Sequence, residues 1–310
     1  MNSLIICSTL YKHILREEFI GTVHSVFNNS FNVLDHKDSL ITFLNSNKTM
    51  GPNSILIDGD IGFLNSKIVP NLEIQFYKEF ALIKNLSMKI NYNKAQLWDK
   101  NPTLNYNRAS KEDLILKLKI LEKFLMSNGK IMGIYPLLST LCGRIKGLSC
   151  FSGKDVKLEK EYEFIKGRFL KFMDSYIRED IENLPKDGKN IIGFGRGLTP
   201  SMDDFISGIM ISSFYLSNYL GHNGECCHKV NNAIVREIKG RTTLVSEEML
   251  INASMGITNE DIRQFMISFL GDYPPKDFVS KMNKVINMGE TSGSDTLCGI
   301  YIGASVYLNR

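Results

Sequence analysis

The order of apolar and polar residues divides the chain into two parts. Up to about Asp99, short runs rich in Ile, Val and Phe are separated by turn-forming groups such as Asn-Asn-Ser and Gly-Pro-Asn, a pattern typical of β-strands at hairpin spacing. From Ser110 onward, apolar residues recur at helical spacing. We therefore predict an α+β protein: a small β-rich N-terminal domain (a barrel or a sandwich) at residues 1–100, a linker at 101–108 and a mainly α-helical C-terminal domain at 109–310.

Individual elements follow from the same patterns. Ser110, followed three residues later by Asp113, resembles the capping box that begins a helix. One buried strand is expected inside the helical part, at residues 190–194. Other strands are predicted at residues 19–26, 30–34, 39–44, 54–57 and 72–76, with one or two more between 80 and 92. Further helices are predicted at residues 158–177, 200–220, 227–238, 246–255, 259–270, 275–286 and 295–307.

Composition and charge narrow the class of protein. Of the 310 residues, 43% are hydrophobic and 23% are charged, close to the average of globular proteins that bury a core. The net charge of +4 comes without a basic stripe interleaved with aromatic residues, so nucleic-acid binding is not expected. The longest uncharged stretch, around residues 205–220, contains Ser, Asn and Gly, which favours a buried helix over a membrane span. The first residues do not resemble a signal peptide, and a cytoplasmic location is expected.

The cysteines and histidines offer little support for a metal site. Cys226 and Cys227 lie between His222 and His228, which raises zinc binding as an alternative. Adjacent cysteines are poorly placed to chelate one ion, and the six cysteines form no CxxC pair, so we expect free thiols in a reducing compartment. The sequence also contains neither HExxH nor GxSxG. No metal site is predicted, and the chemistry is expected to depend on positioning and electrostatic stabilisation.

The clearest candidate site is NIIGFGRGLTPSMDDFISG, at residues 190–208. Its alternating glycines allow positive φ and a close approach of a ligand to the backbone. Thr199 and Pro200 suit the start of a helix, where free N–H groups and the helix dipole attract an anion. Arg196 could add a bidentate contact to a phosphate or carboxylate. The candidate anion-binding residues are Gly193, Gly195, Arg196, Gly197, Thr199 and Ser201.

Two acids follow this loop. Asp203 and Asp204 lie in the first turn of the predicted helix, and both are candidate catalytic residues. One of them could hold Mg²⁺ or orient an amide group, although first-turn acids are also what the helix dipole favours. No lysine-bearing Gly-Lys-Ser/Thr follows the glycines, which excludes a Walker loop.

A second segment, GETSGSDTLCG at residues 289–299, has a related spacing. Thr and Asp follow Gly289 at +2 and +6, as they follow Gly197. We therefore expect two similar loop-to-helix turns that face each other across one pocket, the alternative being coincidence between two capped helices. Asp295 is a candidate catalytic residue here, and Thr291, Ser292 and Gly293 are candidates for anion binding.

A third segment, GRTTLVSEEML at residues 240–250, supplies hydroxyl groups near a helix start. Thr242, Thr243 and Ser246 are candidates for substrate binding, and a simple N-cap is the alternative for Ser246. Arg241 is either a second anion contact or a solvent-exposed side chain.

Taken together, the three segments resemble the AllH family. GFGRGLTPSMDDFISG is similar to the family pattern G-x-G-x-G-L-T-P-S-G-D-D-F-x-x-G, TTLVSEEMLINASMG resembles its middle block, and GETSGSDTLCG resembles its terminal S-G-x-D-x-L-x-G block. The resemblance covers residues 190–305, and the N-terminal half only in general character. Met202 stands where the family usually has glycine, and a side chain there could narrow the pocket or alter its ligand.

The resemblance implies a function. The family includes a subunit that works with FdrA and AllG as oxamate carbamoyltransferase in anaerobic allantoin breakdown. It implies FdrA-like and AllG-like partner subunits and a small anionic substrate, either carbamoyl phosphate or a ureido carboxylate such as oxalurate. Two alternatives stay open: a non-catalytic anion-binding scaffold or regulatory subunit, and a Mg²⁺-dependent small-molecule phosphotransferase.

Overall fold

The chain contains two compact units. The computed structural model describes residues 1–146, 148, 160–221 and 225–309. One unit comprises Met1–Asn101 with Thr258–Glu260, and the other comprises Pro102–Ile257 with Asp261–Arg310. The N-terminal part is a curled nine-stranded sheet and the C-terminal part is helical. The predicted α+β class is therefore confirmed.

The N-terminal sheet curls towards a barrel. Its strands are β1 (Ser3–Cys7), β2 (Phe19–Val26), β3 (Ser30–Leu34), β4 (Leu40–Asn45), β5 (Ser54–Ile57), β6 (Glu73–Phe76), β7 (Phe80–Ile83), β8 (Met88–Asn91) and β9 (Gln96–Trp98). They are ordered β8-β7-β6-β2-β3-β4-β5-β1-β9. The curl brings β8 to the residues before β1, where the Asn91 N–H donates to the Met1 carbonyl over 2.9 Å. The expected barrel or sandwich is thus a single curled sheet.

A short helix completes the N-terminal core. Helix α1 (Ser8–Arg16) directly follows β1 and buries Leu10 and Ile14. These side chains join an apolar cluster with inward-facing strand residues such as Phe31 and Phe43. The rings of Phe31 and Phe43 stack with their centroids 4.5 Å apart. The sequence patterns did not predict β1, α1 or β9.

The second unit is built from helices. They are α2 (Lys111–Asn128), α3 (Lys160–Ile177), α4 (Leu184–Lys189), α5 (Ser201–Tyr219), α6 (Glu225–Val235), α7 (Leu244–Ser254), α8 (Glu260–Leu270), α9 (Pro275–Ile286) and α10 (Ser292–Leu308). Ser110 caps α2 as predicted, because its hydroxyl accepts a hydrogen bond from the Asp113 N–H. None of the described helices has both the length and the apolar character that crossing a bilayer requires.

The expected strand at residues 190–194 is wrong. The segment is a turn that continues from α4, because the N–H groups of Ile191 and Ile192 both donate to the Gly188 carbonyl, over 3.0 and 2.9 Å. Local bonding of this kind leaves no N–H for a ladder with another strand. The turn then reverses at Gly193, where φ is +84°.

Two central helices, α5 and α10, pack with their backbones in contact. A Cβ atom at Gly208 would lie 2.2 Å from the Thr296 carbonyl oxygen, and one at Gly299 would lie 2.0 Å from the Phe205 carbonyl oxygen. The contact is therefore reciprocal, since each helix brings a glycine against a carbonyl of the other. Nearly every residue of both helices is buried, so this pair forms the centre of the helical unit.

The crossing predicts a specific sensitivity to added methyl groups. Gly299→Ala should lower the free energy of unfolding by roughly 1–3 kcal/mol, because the new Cβ has no room beside a backbone carbonyl. Gly167→Ala is the matched control: Gly167 lies in α3 with no atom within 4 Å of the added Cβ, so helix propensity should stabilise that variant by up to about 1 kcal/mol. Denaturant unfolding of both variants measures the difference. Equal effects would contradict the proposed close contact.

Candidate functional site

The starts of α5 and α10 meet at one cavity of about 640 Å³. The cavity is lined by the glycine loop, by the loop before α10, by the start of α3 and by Met132, which lies between α2 and α3. Its lining residues are Met132, Glu161, Tyr162, Phe194, Gly195, Arg196, Gly197, Leu198, Thr199, Ser201, Glu290, Thr291 and Ser292. The two loop-to-helix turns therefore do face a common pocket, as their repeated spacing predicts.

The glycine loop depends on backbone conformations that favour glycine. Gly193, Gly195 and Gly197 all have positive φ, at +84°, +121° and +94°. A Cβ at Gly195 would also lie 2.4 Å from the Ser201 nitrogen, so the loop folds directly onto the first residue of α5. Any other residue at Gly195 would be strained both by its φ and by this contact.

The donors available to an anion lie in the loop and at Ser201, the first residue of α5, and not in the rest of its first turn. The Met202 N–H donates to the Phe194 carbonyl, and the N–H groups of Asp203 and Asp204 both donate to the Pro200 carbonyl. By contrast, no hydrogen bond among the described residues uses the N–H groups of residues 195–199. Successive free N–H groups beside residues of positive φ form a concave anion-binding surface.

Four hydroxyl groups connect the two turns. Thr199 Oγ1 lies 3.1 Å from Ser292 Oγ, and Ser201 Oγ lies 3.4 Å from Thr291 Oγ1. Each pair joins one residue of the glycine loop junction to one residue of the α10 junction. We call these four side chains the hydroxyl quartet.

Two buried carboxyl groups interact with the quartet. Burial raises the pKa of Asp204 well above its usual range, and the hydroxyls of Ser292 and Thr199 partly oppose this rise. Burial likewise raises the pKa of Asp295 to about 6, opposed by the Ile134 N–H and by the hydroxyls of Ser201 and Thr291. Each acid is therefore influenced by one hydroxyl residue from each junction, Thr199 and Ser292 for Asp204 and Ser201 and Thr291 for Asp295.

Asp203 has a different environment from its neighbour. Its Oδ1 accepts from the Gly193 N–H at 2.7 Å, and its Oδ2 accepts from the hydroxyls of Thr242 and Ser246 at 2.5 and 2.6 Å. Burial raises the pKa of Asp203, while the bonds from Ser246, Thr242 and Gly193 oppose the rise. Asp203 does not line the cavity; it ties the glycine loop to the start of α7.

The third sequence segment supports the loop from behind. Thr243, rather than Ser246, caps α7, since its hydroxyl accepts from the Ser246 N–H at 3.1 Å. Thr243 also donates to the Leu198 carbonyl, and the Arg241 carbonyl lies against Gly193. The Arg241 side chain is exposed. These residues do not line the cavity, so the structure places them next to the site and not in it.

Two further predicted positions also lie behind the cavity. Gly293 is buried, and a Cβ there would meet the Val285 carbonyl at 1.8 Å. Met202 is fully buried and belongs to the apolar core of the helical unit. Its side chain therefore does not narrow the pocket, contrary to what its place in the motif suggested.

Several lining residues were missed by the sequence patterns. Glu161 of α3 lies 3.4 Å from Arg196, and both side chains are exposed. Met132 and Tyr162 add an apolar wall, with the Tyr162 hydroxyl bonded to the Met132 carbonyl at 2.7 Å. These contacts join segments far apart in sequence, so no local spacing could reveal them.

The described residues offer no cluster of side chains suited to bind a metal ion: they contain no group of three or more His, Cys, Asp and Glu side chains arranged to hold one. Cys7, Cys226, Cys227 and Cys298 are free thiols, whereas Cys142 is disulfide-bonded, so the expectation of free thiols is wrong at Cys142. His222 and Cys150 lie outside the described residues.

The support of the glycine loop by Asp203 gives a testable prediction. Ser246→Ala removes one donor from a buried carboxylate and should destabilise the protein by roughly 1–3 kcal/mol. Ser268→Ala is the matched control, because that buried hydroxyl donates only within its own helix, to the Phe265 carbonyl. Thermal unfolding compares the two variants. A Ser246→Ala variant as stable as the control would contradict the role of Asp203 in holding the loop.

Comparison with known proteins places this site in a family. Residues 191–304 match the family model described as oxamate carbamoyltransferase subunit AllH, and residues 2–97 match the AllH family N-terminal domain. No solved structure matches the chain. The first match contains all three segments that form or support the cavity, and the second covers almost the whole curled sheet. The chain therefore belongs to the AllH family.

Proposed function

We propose that this chain is the subunit of an oxamate carbamoyltransferase-like enzyme that holds the substrate, and that its cavity takes an anion bearing a carbamoyl group. Carbamoyl phosphate and ureido carboxylates such as oxalurate have this combination. The supporting observation is that one cavity contains both a run of free N–H groups and a quartet of hydroxyl groups backed by buried acids.

The anionic end of such a substrate suits the glycine loop. Oxygen atoms of a phosphate or carboxylate accept hydrogen bonds from backbone N–H groups arranged in a concave loop. Arg196 adds a positive charge beside them, and its ion pair with Glu161 is exposed to solvent. Because exposed ion pairs contribute little to stability, an incoming anion can replace Glu161 as the partner of Arg196.

The carbamoyl end suits the hydroxyl quartet. A hydroxyl group that donates its hydrogen to a carboxylate can present its lone pairs to a ligand. Four hydroxyl oxygens line the cavity, and all four residues influence the pKa of Asp204 or Asp295. A carbamoyl –NH₂ group offers two N–H donors to these oxygens. Inorganic phosphate would use the loop alone, so the combination of the two ends favours a carbamoyl-bearing anion.

The chemistry expected of this site is positioning and electrostatic stabilisation. In the phosphorolysis of oxalurate, the bond from the carbamoyl carbon to the leaving nitrogen breaks and a bond to a phosphate oxygen forms, which yields carbamoyl phosphate and oxamate. FdrA-like and AllG-like subunits are the proposed partners. In this scheme Asp204 and Asp295, which do not line the cavity themselves, act on the substrate through the hydroxyl quartet. Asp203 is a positioning residue.

The Mg²⁺-dependent phosphotransferase has less support. The lining residues include Arg196 but no lysine, whereas phosphate loops of that class use one. The buried carboxyl groups are the sole support for Mg²⁺ as a cofactor, and binding of Mg-ATP tests this alternative. A scaffold that binds the anion for a partner subunit would use the same cavity without performing the reaction.

Ligand-induced stabilisation tests the proposal. Thermal unfolding of the chain should be measured with phosphate, carbamoyl phosphate, oxamate, oxalurate and Mg-ATP, since a ligand of the native state raises the melting temperature. We expect carbamoyl phosphate or oxalurate to stabilise the protein more than phosphate does. Arg196→Ala should weaken that binding by roughly tenfold or more, through loss of a charge-assisted contact worth about 1.5–3 kcal/mol.

Arg178→Ala is the control for this measurement, because Arg178 is exposed and does not line the cavity. It should leave the ligand effect unchanged. Equal stabilisation by phosphate and carbamoyl phosphate would remove the argument for a carbamoyl group. Stabilisation by Mg-ATP alone would support the phosphotransferase instead.

A further inference from the structure

Asp204 and Asp295 lie on the faces of α5 and α10 that pack together. Asp204 precedes Gly208 by four residues, and Asp295 precedes Gly299 by four. Residues four apart share one face of a helix. Both glycines touch the backbone of the opposite helix, so each carboxyl group lies one turn before the crossing, on the side that faces the other helix.

Each of these carboxyl groups has one oxygen without a partner. The Oδ2 atoms of Asp204 and Asp295 are both buried, and neither has a hydrogen-bond partner among the described residues. Asp295 is fully buried and Asp204 nearly so. An unpaired carboxylate oxygen in such a position carries a large desolvation cost, and the negative charge of Asp295 raises the pKa of Asp204 further.

The surrounding groups do not supply a compensating charge. The charged groups that act on Asp204 are themselves acids, namely Asp295 and Asp203. On α10, Cys298 lies near Asp295, and burial raises the pKa of its thiol. At the cavity above, the cation Arg196 is paired with Glu161, and Glu290, a further lining residue, is another acid.

We propose that Asp204 and Asp295 share one proton, held between their two Oδ2 atoms at the base of the hydroxyl quartet. A single proton satisfies both unpaired oxygens at once and reduces the charge of the pair from two to one. The arrangement follows the general rule that two close carboxylates cannot both ionise. The direction of both pKa shifts, upward through burial, agrees with it.

A shared proton has a use if the proposed function is correct, and this step alone rests on that function. When the carbamoyl group moves from nitrogen to phosphate, the leaving nitrogen gains a proton and the phosphate loses one. The pair can pass its proton through a quartet hydroxyl to the nitrogen and recover one from the phosphate. The proton count of the site is then unchanged after each turnover.

Substitution by asparagine mimics the proposed state. In Asp204→Asn, the amide N–H can donate to Asp295 and replace the shared proton, and Asp295→Asn does the same in reverse. Infrared spectra of the whole chain at neutral pH, without ligand, should show a protonated carboxyl band in the wild type. Either single substitution should remove that band. Asp277→Asn, at an exposed first-turn aspartate of α9, should leave it in place.

The pH dependence of stability gives a second readout. A carboxyl group whose pKa is raised on folding contributes stability that is present below the unfolded value of about 3.9 and is lost as pH rises through the folded value, which for Asp204 lies well above its usual range. Across this window, one proton makes the unfolding constant rise about tenfold per pH unit. Each single asparagine variant should remove this tenfold slope, and the double variant should remove no more.

Three results would overturn the proposal. One is a wild-type spectrum without a carboxyl band that depends on Asp204 and Asp295. Another is a double variant that loses more of the pH dependence of the unfolding constant than either single variant does, which would indicate two independent carboxyl groups. The third is stabilisation of the wild type, but not of the variants, by Mg²⁺ or K⁺, which would place a cation between the acids. None of these measurements needs a substrate, so failure here is distinct from failure of the anion-binding proposal.

Discussion

The direct contact between the backbones of α5 and α10 determines where every part of the cavity lies. Gly208 and Gly299 allow each helix to approach a carbonyl group of the other. At this separation, the two helix starts are close enough for hydroxyls of one junction to reach those of the other, at 3.1 and 3.4 Å. Larger side chains at the crossing would separate the junctions, and the loops could no longer enclose one cavity.

Neighbouring aspartates take different roles because of the helix geometry. Successive residues point about 100° apart on a helix, so Asp203 and Asp204 cannot face the same surroundings. Asp203 accepts three hydrogen bonds, from the loop, from the segment before α7 and from the first turn of α7. Asp204 instead faces α10 and keeps an oxygen without a partner. The acid whose two oxygens are both hydrogen-bonded therefore supports the fold of the loop, whereas its neighbour keeps a buried oxygen without a partner among the described residues.

Much of this organisation could be predicted from local patterns. The spacing of apolar residues changes near residue 100, and this change correctly located the boundary between the sheet and the helices. The repeated Gly-x-Thr spacing indicated two matching turns. Local patterns failed where tertiary contacts decide. Ile191 and Ile192 look like a buried strand, yet they have no neighbouring strand with which to pair. Met132 and Glu161 reach the cavity only through the packing of distant segments, for which a single sequence contains no short-range signal.

The same limit explains the errors at helix starts. Both Thr243 and Ser246 are suitable capping residues by type, and only the structure shows that Thr243 caps α7 while Ser246 donates to Asp203. The N-terminal sheet was predicted from its hairpins, whereas β1 and β9 pair in parallel with each other. β1 runs directly into α1 without a turn, and β9 has only three residues, too few to show an alternating pattern, so neither strand was marked in the sequence.

The hydroxyl quartet bonds crosswise, and this has a consequence for how the site responds to a ligand. The hydroxyls of Thr199 on its own junction and of Ser292 on the other both lower the pKa of Asp204, and those of Thr291 and Ser201 lower the pKa of Asp295 in the same manner. Neither junction is complete without its counterpart. A displacement of the glycine loop would therefore also break hydroxyl contacts of the α10 junction, so the two halves of the cavity are mechanically coupled.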